Sequence, residues 1–523
     1  MEAVLFCQNK FTSTSNNDNF KYKSYSHGAV YALYEIAKKN NVINIMDFIL
    51  PDKKRNGLSK GTSLLLSAIH RAVTPGSKRE FSEWASLTTL PSIVGFDPNK
   101  LTSRHFWDQM DGITEEMIVQ IEDEITKQIF KNYEFNAEKL ALDYTNYFTY
   151  IASSNDKSDL AQRGHNKQKR NDLKQVSLAL ITTKELMMPL CSHVYEGNAN
   201  DITVFPEYIK MLKDRLSKYN NSKDITVIFD KGSNSKDNLN LIETLRFNYV
   251  CSFSLNSCKE LIDIPLDNYE IVNAADKDIL CYRTKKNIWG RERECVLAFS
   301  QKLKDEQIKG LDKEIGDKFE ELSKLKEKLK SDKSRISKKM SDIEKRVKNI
   351  ISGNHGAEII KVTYIGKRIV KDIEFSIDKA MYDEICKKHF GKKLYITNQE
   401  NWTTKEIIEA YYGQSKIEDL FKDTKDPMHF AIRPQFHWTD SKIRVHIFCC
   451  LLGLLLTCLL RKELINKDIK IENDKLIEKL SEIRLTYILS PNKSRKSGFD
   501  VKKVLEEMTE YQKSIWDKLQ EII

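Results

Sequence analysis

Cysteine is scarce in this chain: ten in 523 residues, irregularly spaced and without a CxxC pair. That excludes a disulfide-stapled scaffold and leaves no zinc-finger spacing, so reduced thiols in a cytosol are expected. Long apolar runs are also missing. The most apolar stretch, Ile447 to Leu460, has 14 residues, short of the roughly 20 that cross a bilayer, and is expected as a buried helix with no membrane partner. No basic leader with an apolar core and small-residue cleavage site opens the sequence, so secretion is not expected. A large excess of one charge is absent too: 85 Lys and Arg against 75 Asp and Glu leave +10, spread along the chain. With a pI of about 8.8, an acidic partner such as nucleic acid is plausible but not required. What is present, 40% hydrophobic, 31% charged and 10% aromatic residues, is the composition of a folded globular protein rather than of a disordered, collagenous or rod-like one.

The order of local patterns divides the chain. Residues 1–135 carry helical spacing in AVYALYEIAKKNNVINIMDFIL, SLLLSAIHRAV and ITEEMIVQIEDEITKQIF, interrupted by Pro51, Pro75, Pro91 and Pro98. From 136 to 255 the texture turns to short β-rich runs, KLALDYTNYFTYI, KQVSLALITT and MMPLCSHVY. A helix follows near Asp201–Tyr219, then the strand ITVIFD, a second helix, and YVCSFSL. Three strands, then helix, strand, helix and strand, is the order of an RNase H-like α/β core: an antiparallel meander continued by parallel strands. Residues 256–390 depart from that rhythm and read as an insertion. Its strands YEIVNA, DILCYRT and ECVLAFS precede one long polar helix from about Gln301 to Ile351, whose apolar positions recur at three-, four- and seven-residue steps. With 16 basic and 11 acidic residues over 301–350, that helix fits a solvated packing seam or a DNA clamp. Residues 391–465 resume the core with a strand and a helix from Thr403, and 466–523 form a helical tail.

Three acids stand out. Asp143 lies inside an apolar first strand, where a carboxylate is costly unless compensated. Asp230 ends ITVIFD at the carboxyl edge of a parallel strand, where sites of open α/β sheets gather. Glu418 lies in TKEIIEAYYGQSKIEDLFKDTK, where Tyr411, Gln414, Glu418 and Lys425 fall at i, i+3, i+7 and i+14 and share one face of a continuous helix. Taken singly, each acid has a structural reading: a turn cap, a loop start, an exposed face with Glu–Lys pairing. Converging, they form a hard oxygen site for two Mg²⁺ or Mn²⁺ ions, of the kind that cuts phosphodiesters. The run Arg163, His165, Lys167, Lys169 and Arg170 between the first two strands fits either a solvated loop or contacts to backbone phosphates. His429, His437 and His446 lack zinc partners and fit core or DNA-facing roles.

The spacing Tyr411-(2)-Gln414-(3)-Glu418-(6)-Lys425 resembles the Tyr-(2)-Arg-(3)-Glu-(6)-Lys signature of Asp-Asp-Glu transposases of the bacterial insertion-sequence-four superfamily. Gly164–Leu180 (GHNKQKRNDLKQVSLAL), the set Pro189, Gly197, Asn198 and Asp201, the turn Asp230-Lys231-Gly232 and the segment RPQFHWTDSKIRVHIFCCLLGLLL are similar to further motifs of that family, in the same order. The resemblance covers most of residues 25–465. It implies an RNase H-like core with a helical amino-terminal DNA-binding domain and a β-rich, long-helix insertion before the Glu helix. It also implies Asp143, Asp230 and Glu418 as the metal-binding catalytic triad, with Tyr411 and Lys425 holding phosphates. The implied activity is Mg²⁺-dependent cleavage at the inverted-repeat ends of a bacterial insertion sequence and strand transfer to target DNA, by a homodimer in the cytoplasm at the nucleoid. Gln414 departs from the signature, replacing a charged phosphate fork with a neutral amide. That departure keeps open a catalytically decayed DNA-binding descendant, beside a related nuclease without strand transfer.

Overall fold

The structure, a computed structural model, describes residues 21–133, 138–164, 166, 170–218, 224–331, 334–353, 355–425, 432, 435–491 and 499–523. His165, Lys167, Lys169 and His429 of the sequence analysis lie outside them. The chain forms two compact units, one from residues up to Asn248 together with Gly413–Ile523, the other Tyr249–Tyr412.

The first unit begins with strand β1 (Lys21–Ser26) and then runs as helices to Asn132, as the apolar spacing requires. The helix Lys60–Val73 is the most deeply set of these. Ser59 caps it by accepting from the Thr62 amide, and twelve of its fourteen residues are buried. The mixed sheet follows: β2 (Lys139–Phe148), β3 (Gln175–Thr183), β4 (Pro189–Glu196) and β5 (Thr226–Phe229), in the order β4-β3-β2-β5. Strands β2, β3 and β4 are antiparallel neighbours and β5 runs parallel to β2. The expected strand order is thus found. Every residue of β3 is buried, the mark of a sheet covered on both faces. The helices Asp201–Ser217 and Lys236–Thr244 lie between β4 and β5 and after β5. Arg215 of the first, 1% exposed, pairs with Glu122 at 3.2 Å and with Asp123, both on the helix Glu115–Asn132, and also donates to the Leu190 carbonyl. This buried guanidinium ties the helical region to the edge of the sheet.

In the second unit β6 (Asn248–Phe253), β7 (Glu270–Ala274), β8 (Lys277–Ile288) and β9 (Arg291–Phe299) are followed by an excursion. It comprises a helix Gln301–Lys330, a helix Met340–Ile351, a hairpin of β10 (Ile360–Ile365) and β11 (Asp372–Ile377), and a helix Lys379–Lys388. Strand β12 (Lys392–Thr397) then inserts between β6 and β9, giving the antiparallel order β6-β12-β9-β8-β7. The unit closes at Tyr412, beyond the boundary read at residue 390. The single long helix expected over 301–351 is two helices. Ser331, Ser334 and Ser337 fall between them, and such side chains offer the backbone local hydrogen bonds that compete with the helix, as Ser337 Oγ does by accepting from the Lys339 amide at 3.5 Å.

The last part returns to the first unit. The helix Asp440–Ile465 contains the apolar run, and 89% of its most apolar window is buried, as expected of a core helix. The tail corrects a sequence expectation. After the helix Asn473–Ser481, strands β13 (Arg484–Pro491) and β14 (Phe499–Leu505) pair with β1 in the order β1-β13-β14 before the helix Glu510–Gln520. RLTYIL has the β-branched, aromatic alternation of a half-buried strand, and Tyr487 packs edge-on to Tyr25 of β1 at 5.5 Å.

Candidate active site

Strand register brings the first two acids together. Strands β2 and β5 pair in parallel as Lys139 with Thr226, Leu140 with Val227 and Ala141 with Ile228. The ladder ends there; the same register continued two residues would set Asp143 opposite Asp230, which follows the last residue of β5, on the face shared with Ala141 and Ile228. Asp143 is half-buried and accepts from the Tyr144 amide at 2.8 Å; Asp230, just past the end of β5, is exposed. The two carboxylates thus lie on neighbouring parallel strands, Asp143 within β2 and Asp230 just past the carboxyl end of β5.

The helix that carries Glu418 spans Ser415–Asp423 and packs on β2. Ile417, Leu420, Phe421 and Thr424 form its buried stripe. Thr424 Oγ1 hydrogen-bonds Tyr147 Oη at 2.8 Å, and the Lys425 Nζ sits 5.8 Å from the Tyr147 ring centroid. Tyr147 is four residues from Asp143 and points to the same face of the strand. The helix therefore crosses the face that Asp143 presents; Glu418 is exposed on it, and half-buried Lys425 follows in the turn after its end. Among the described residues no three His, Cys, Asp or Glu side chains are gathered closely enough to hold an ion. The structure brings together the aspartate pair and the Glu418 helix, not a closed cage of three carboxylates. The groups available are carboxylates, hard oxygen donors of the kind that suits Mg²⁺ or Mn²⁺.

The four-residue stripe needs correction. Its helix is interrupted: one helix covers Thr404–Tyr412, the next starts at Ser415, and Gly413 and Gln414 make the turn between them. Glycine is the poorest helix former after proline, and the chain tightens there into i to i+3 bonds, Lys416 N to Gly413 O and Ile417 N to Gln414 O. Tyr411 belongs to the second unit, where it packs on Tyr395 with ring centroids 4.5 Å apart and carries the Lys393 ammonium 4.5 Å from its centroid. Gln414 is 3% exposed, and its side-chain oxygen is buried without a hydrogen-bond partner among the described residues.

The basic loop after β2 divides. Arg163 donates to Ser153 Oγ at 3.1 Å, and Arg170 is engaged in a two-pronged pair with Asp172 at 2.9 and 2.8 Å. The glycines of the neighbouring motifs have a shared reason. A Cβ on Gly164 would lie 2.3 Å from the Gly197 carbonyl oxygen and one on Gly197 2.0 Å from that of Gln175, whose buried amide donates to Gly197 O at 2.7 Å. Backbone approach this close admits only glycine. Asp201, read in the sequence only as a motif member, accepts from Tyr195 Oη at 2.9 Å and adjoins Gly232, just after Asp230. Burial first, then the charges of Asp201 and Asp143, keeps the Tyr144 phenol protonated. Asp440 was not legible as functional. It accepts from Ser158 Oγ at 2.6 Å and from the Asp159 and Leu160 amides, pinning the loop after β2 to the start of the closing helix. His437 and His446 are core residues, their rings 5.0 Å apart and both held neutral by burial.

A comparison with curated proteins finds no match. Among solved structures, a piggyBac transposase in a synaptic complex with hairpin DNA aligns over 87% of this chain and 78% of its own, at 8% identity and a TM-score of 0.39. The family described as Transposase DDE domain matches residues 152–454, a span that starts just beyond Asp143 and includes Asp230 and Glu418. As that span is more than half of the sequence, the chain belongs to the DDE transposase family.

Proposed function

We propose that this protein is an insertion-sequence transposase with an RNase H-like core, which cuts duplex DNA at the inverted-repeat ends of its element and joins the freed 3′ ends to target DNA. The observation that supports the reading is the parallel register of β2 and β5, which continued two residues would face Asp143 with Asp230, beside the packing of the Glu418 helix on β2. Asp143, Asp230 and Glu418 would hold the divalent ions, Mg²⁺ or Mn²⁺. When bound, such ions activate the attacking oxygen and offset charge on the departing one. The chain's own part is positioning. The β2–β5 register fixes two carboxylates, the Tyr147–Thr424 bond fixes the approach of the Glu418 helix, and Lys425 offers a cation beside them to a phosphate. Tyr411 and the loop residues Arg163, Lys167 and Arg170 are further phosphate contacts in this reading. A homodimer at paired ends and a bacterial, nucleoid-associated setting complete it.

Strand cleavage of labelled duplex carrying the gene's own flanking sequence tests the reading. Nicking at a defined end that needs Mg²⁺, is not supported by Ca²⁺ and disappears in Glu418→Gln and Asp143→Asn is expected; joined products then separate a transposase from a nuclease. Buried Gln414, in place of the charged residue of the signature, favours a second reading, a catalytically decayed DNA-binding protein. Binding by wild type without any cleavage would decide for it.

A further inference from the structure

The excursion between β9 and β12 has a core of its own and an end that is unusually positive. Leu322, Leu325 and Leu329 of the helix Gln301–Lys330 pack on Ile343 and Val347 of the next helix and on Ile360, Val370 and Ile373 of the β10–β11 hairpin. Beyond Leu329 two connecting segments meet. Met340 N donates to Arg368 O at 3.1 Å, Val370 N to Lys338 O at 2.8 Å, and Lys339 and Ile369 form an antiparallel bridge. The turn of the second segment is tight: Gly366 has φ +125°, and a Cβ there would lie 2.1 Å from Ile369 O.

These two zipped segments, residues 334–341 and 365–371, contain Arg335, Lys338, Lys339, Lys367, Arg368 and Lys371 and no acid. The long helix below them differs in carrying acids among its cations: Lys309, Lys313 and Lys328 are exposed without an acidic partner among the described residues, but others are paired. There Lys318 pairs with Glu314 at 3.1 Å and Lys324 with Glu320 at 2.6 Å, while Lys326 and Lys330 share Asp372. At the end, Arg335, Lys339, Lys367, Arg368 and Lys371 are exposed and have no acidic partner among the described residues. Five unpaired cations held within two backbone-linked segments repel one another, and a stable fold gains nothing from gathering them. A polyanion does. Thirty helical residues at about 1.5 Å each carry this end roughly 45 Å along the helix that leaves β9, the reach of an arm rather than of a packing element.

We infer that the tip formed by residues 334–341 and 365–371 is a docking surface for the phosphate backbone of duplex DNA, read by charge and not by sequence. It rests on the transposase reading for the source of the DNA and adds a contact outside the carboxylate site. Duplex DNA presents one charge per about 1.7 Å of axis, so several cations on one tip engage several phosphates at once and release their counterions.

The test is the salt dependence of binding of the full chain to a fluorescent duplex of arbitrary sequence. The triple variant Lys339→Gln, Arg368→Gln, Lys371→Gln removes three cations but none of the backbone bonds that close the tip. Loss of three phosphate contacts lowers the slope of log K against log salt by about 2.7, so the affinity deficit of the variant shrinks about 40-fold between about 50 and about 200 mM salt. A second variant, Lys302→Gln with Lys324→Gln, removes exposed charge from the helix below the tip and is expected to leave the slope unchanged. A wild-type complex whose slope survives the triple substitution overturns the tip. So does an unchanged slope with an altered oligomeric state, which would assign the surface to a second copy. Failure of wild type to bind any duplex overturns the tip together with the transposase reading.

Discussion

Gln414 shows how far a single residue can be judged from its place. Its side-chain oxygen is buried without a partner among the described residues, an arrangement that costs about 1–3 kcal/mol. Gln414→Met has nearly the same shape without that oxygen. It is expected to raise unfolding free energy by about 1 kcal/mol in urea titration, and a loss of stability would show the amide to be satisfied in solution. The buried histidines give the second prediction at this scale. Burial, aided by the charges of Arg71 and Lys78, holds His70 down to about 3, against 6.5 when exposed. Burial likewise lowers His27 and His105 to about 4. Between the two values the unfolded chain binds the proton and the folded chain does not, so stability rises with pH and is lost as pH falls from about 6.5 toward about 3. His70 packs against Phe81 and Trp84, with centroids 5.4 and 4.5 Å away, so phenylalanine can take its place. His70→Phe is expected to remove about 1.4 kcal/mol per pH unit from the slope of stability between pH 6 and 4. A slope equal to wild type would mean that the imidazole is protonated in the native state.

At the scale of elements, helix propensity and packing predict opposite signs for two glycines. Gly453 lies in the closing helix against Lys60–Val73, where a Cβ would stand 2.6 Å from the Ala68 carbonyl oxygen and 3.2 Å from the Ala72 Cβ. Alanine gains about 1 kcal/mol in propensity, but the contact is with backbone that cannot turn aside. Gly453→Ala is therefore expected to destabilise by about 2 kcal/mol net, whereas Gly316→Ala on the arm helix, where nothing lies within 4 Å, stabilises its helix by about 1 kcal/mol. Thermal unfolding of the two variants checks the contrast. Elements were legible where one periodicity dominated: β2 to β5 and the closing helix announce themselves in runs such as QVSLALITT and IFCCLLGLLL. The β13–β14 pair was not, because VLEEMTEYQ keeps helical spacing, while β14 pairs with β13 and β13 in turn pairs with a strand at the other end of the chain, β1, which local pattern cannot register. The aspartates were legible as one acid inside an apolar strand and one at a strand end; that their strands are parallel neighbours came only from the β2–β5 ladder. The turn at Gly413 was hidden because one glycine in a helical pattern is usually tolerated.

For the whole molecule, the question is whether the long excursion is part of the fold or carried by it. Sequence showed that something interrupts the core, but not where its ends meet, since that depends on pairing between strands almost a hundred residues apart. The structure puts them side by side: Phe299 pairs with Lys392, and Ser300 N donates to Gly391 O at 2.8 Å. Residues 301–390 thus leave and rejoin the sheet at neighbouring positions, as a hairpin loop does. Inside them lie two separate apolar clusters, one around Leu322, Ile343 and Val370, the other around Leu311, Ile315, Ile359 and Ile385. A segment of this size with its own core is within the range that folds alone, and a site whose ends are hydrogen-bonded tolerates a short replacement at little loop-closure cost. Substituting 301–390 by a two-residue Asn-Gly turn between β9 and β12 is expected to leave a cooperatively folded sheet, and the excised segment, expressed separately, to be helical by circular dichroism and to unfold in one transition. If the arm is an addition, the shortened protein keeps its melting cooperativity and loses only the salt-steep part of duplex binding. If instead its two clusters support the strands beside them, the shortened protein unfolds without a defined transition and the segment 301–390 alone stays unstructured, which would make the excursion a structural member of the second unit.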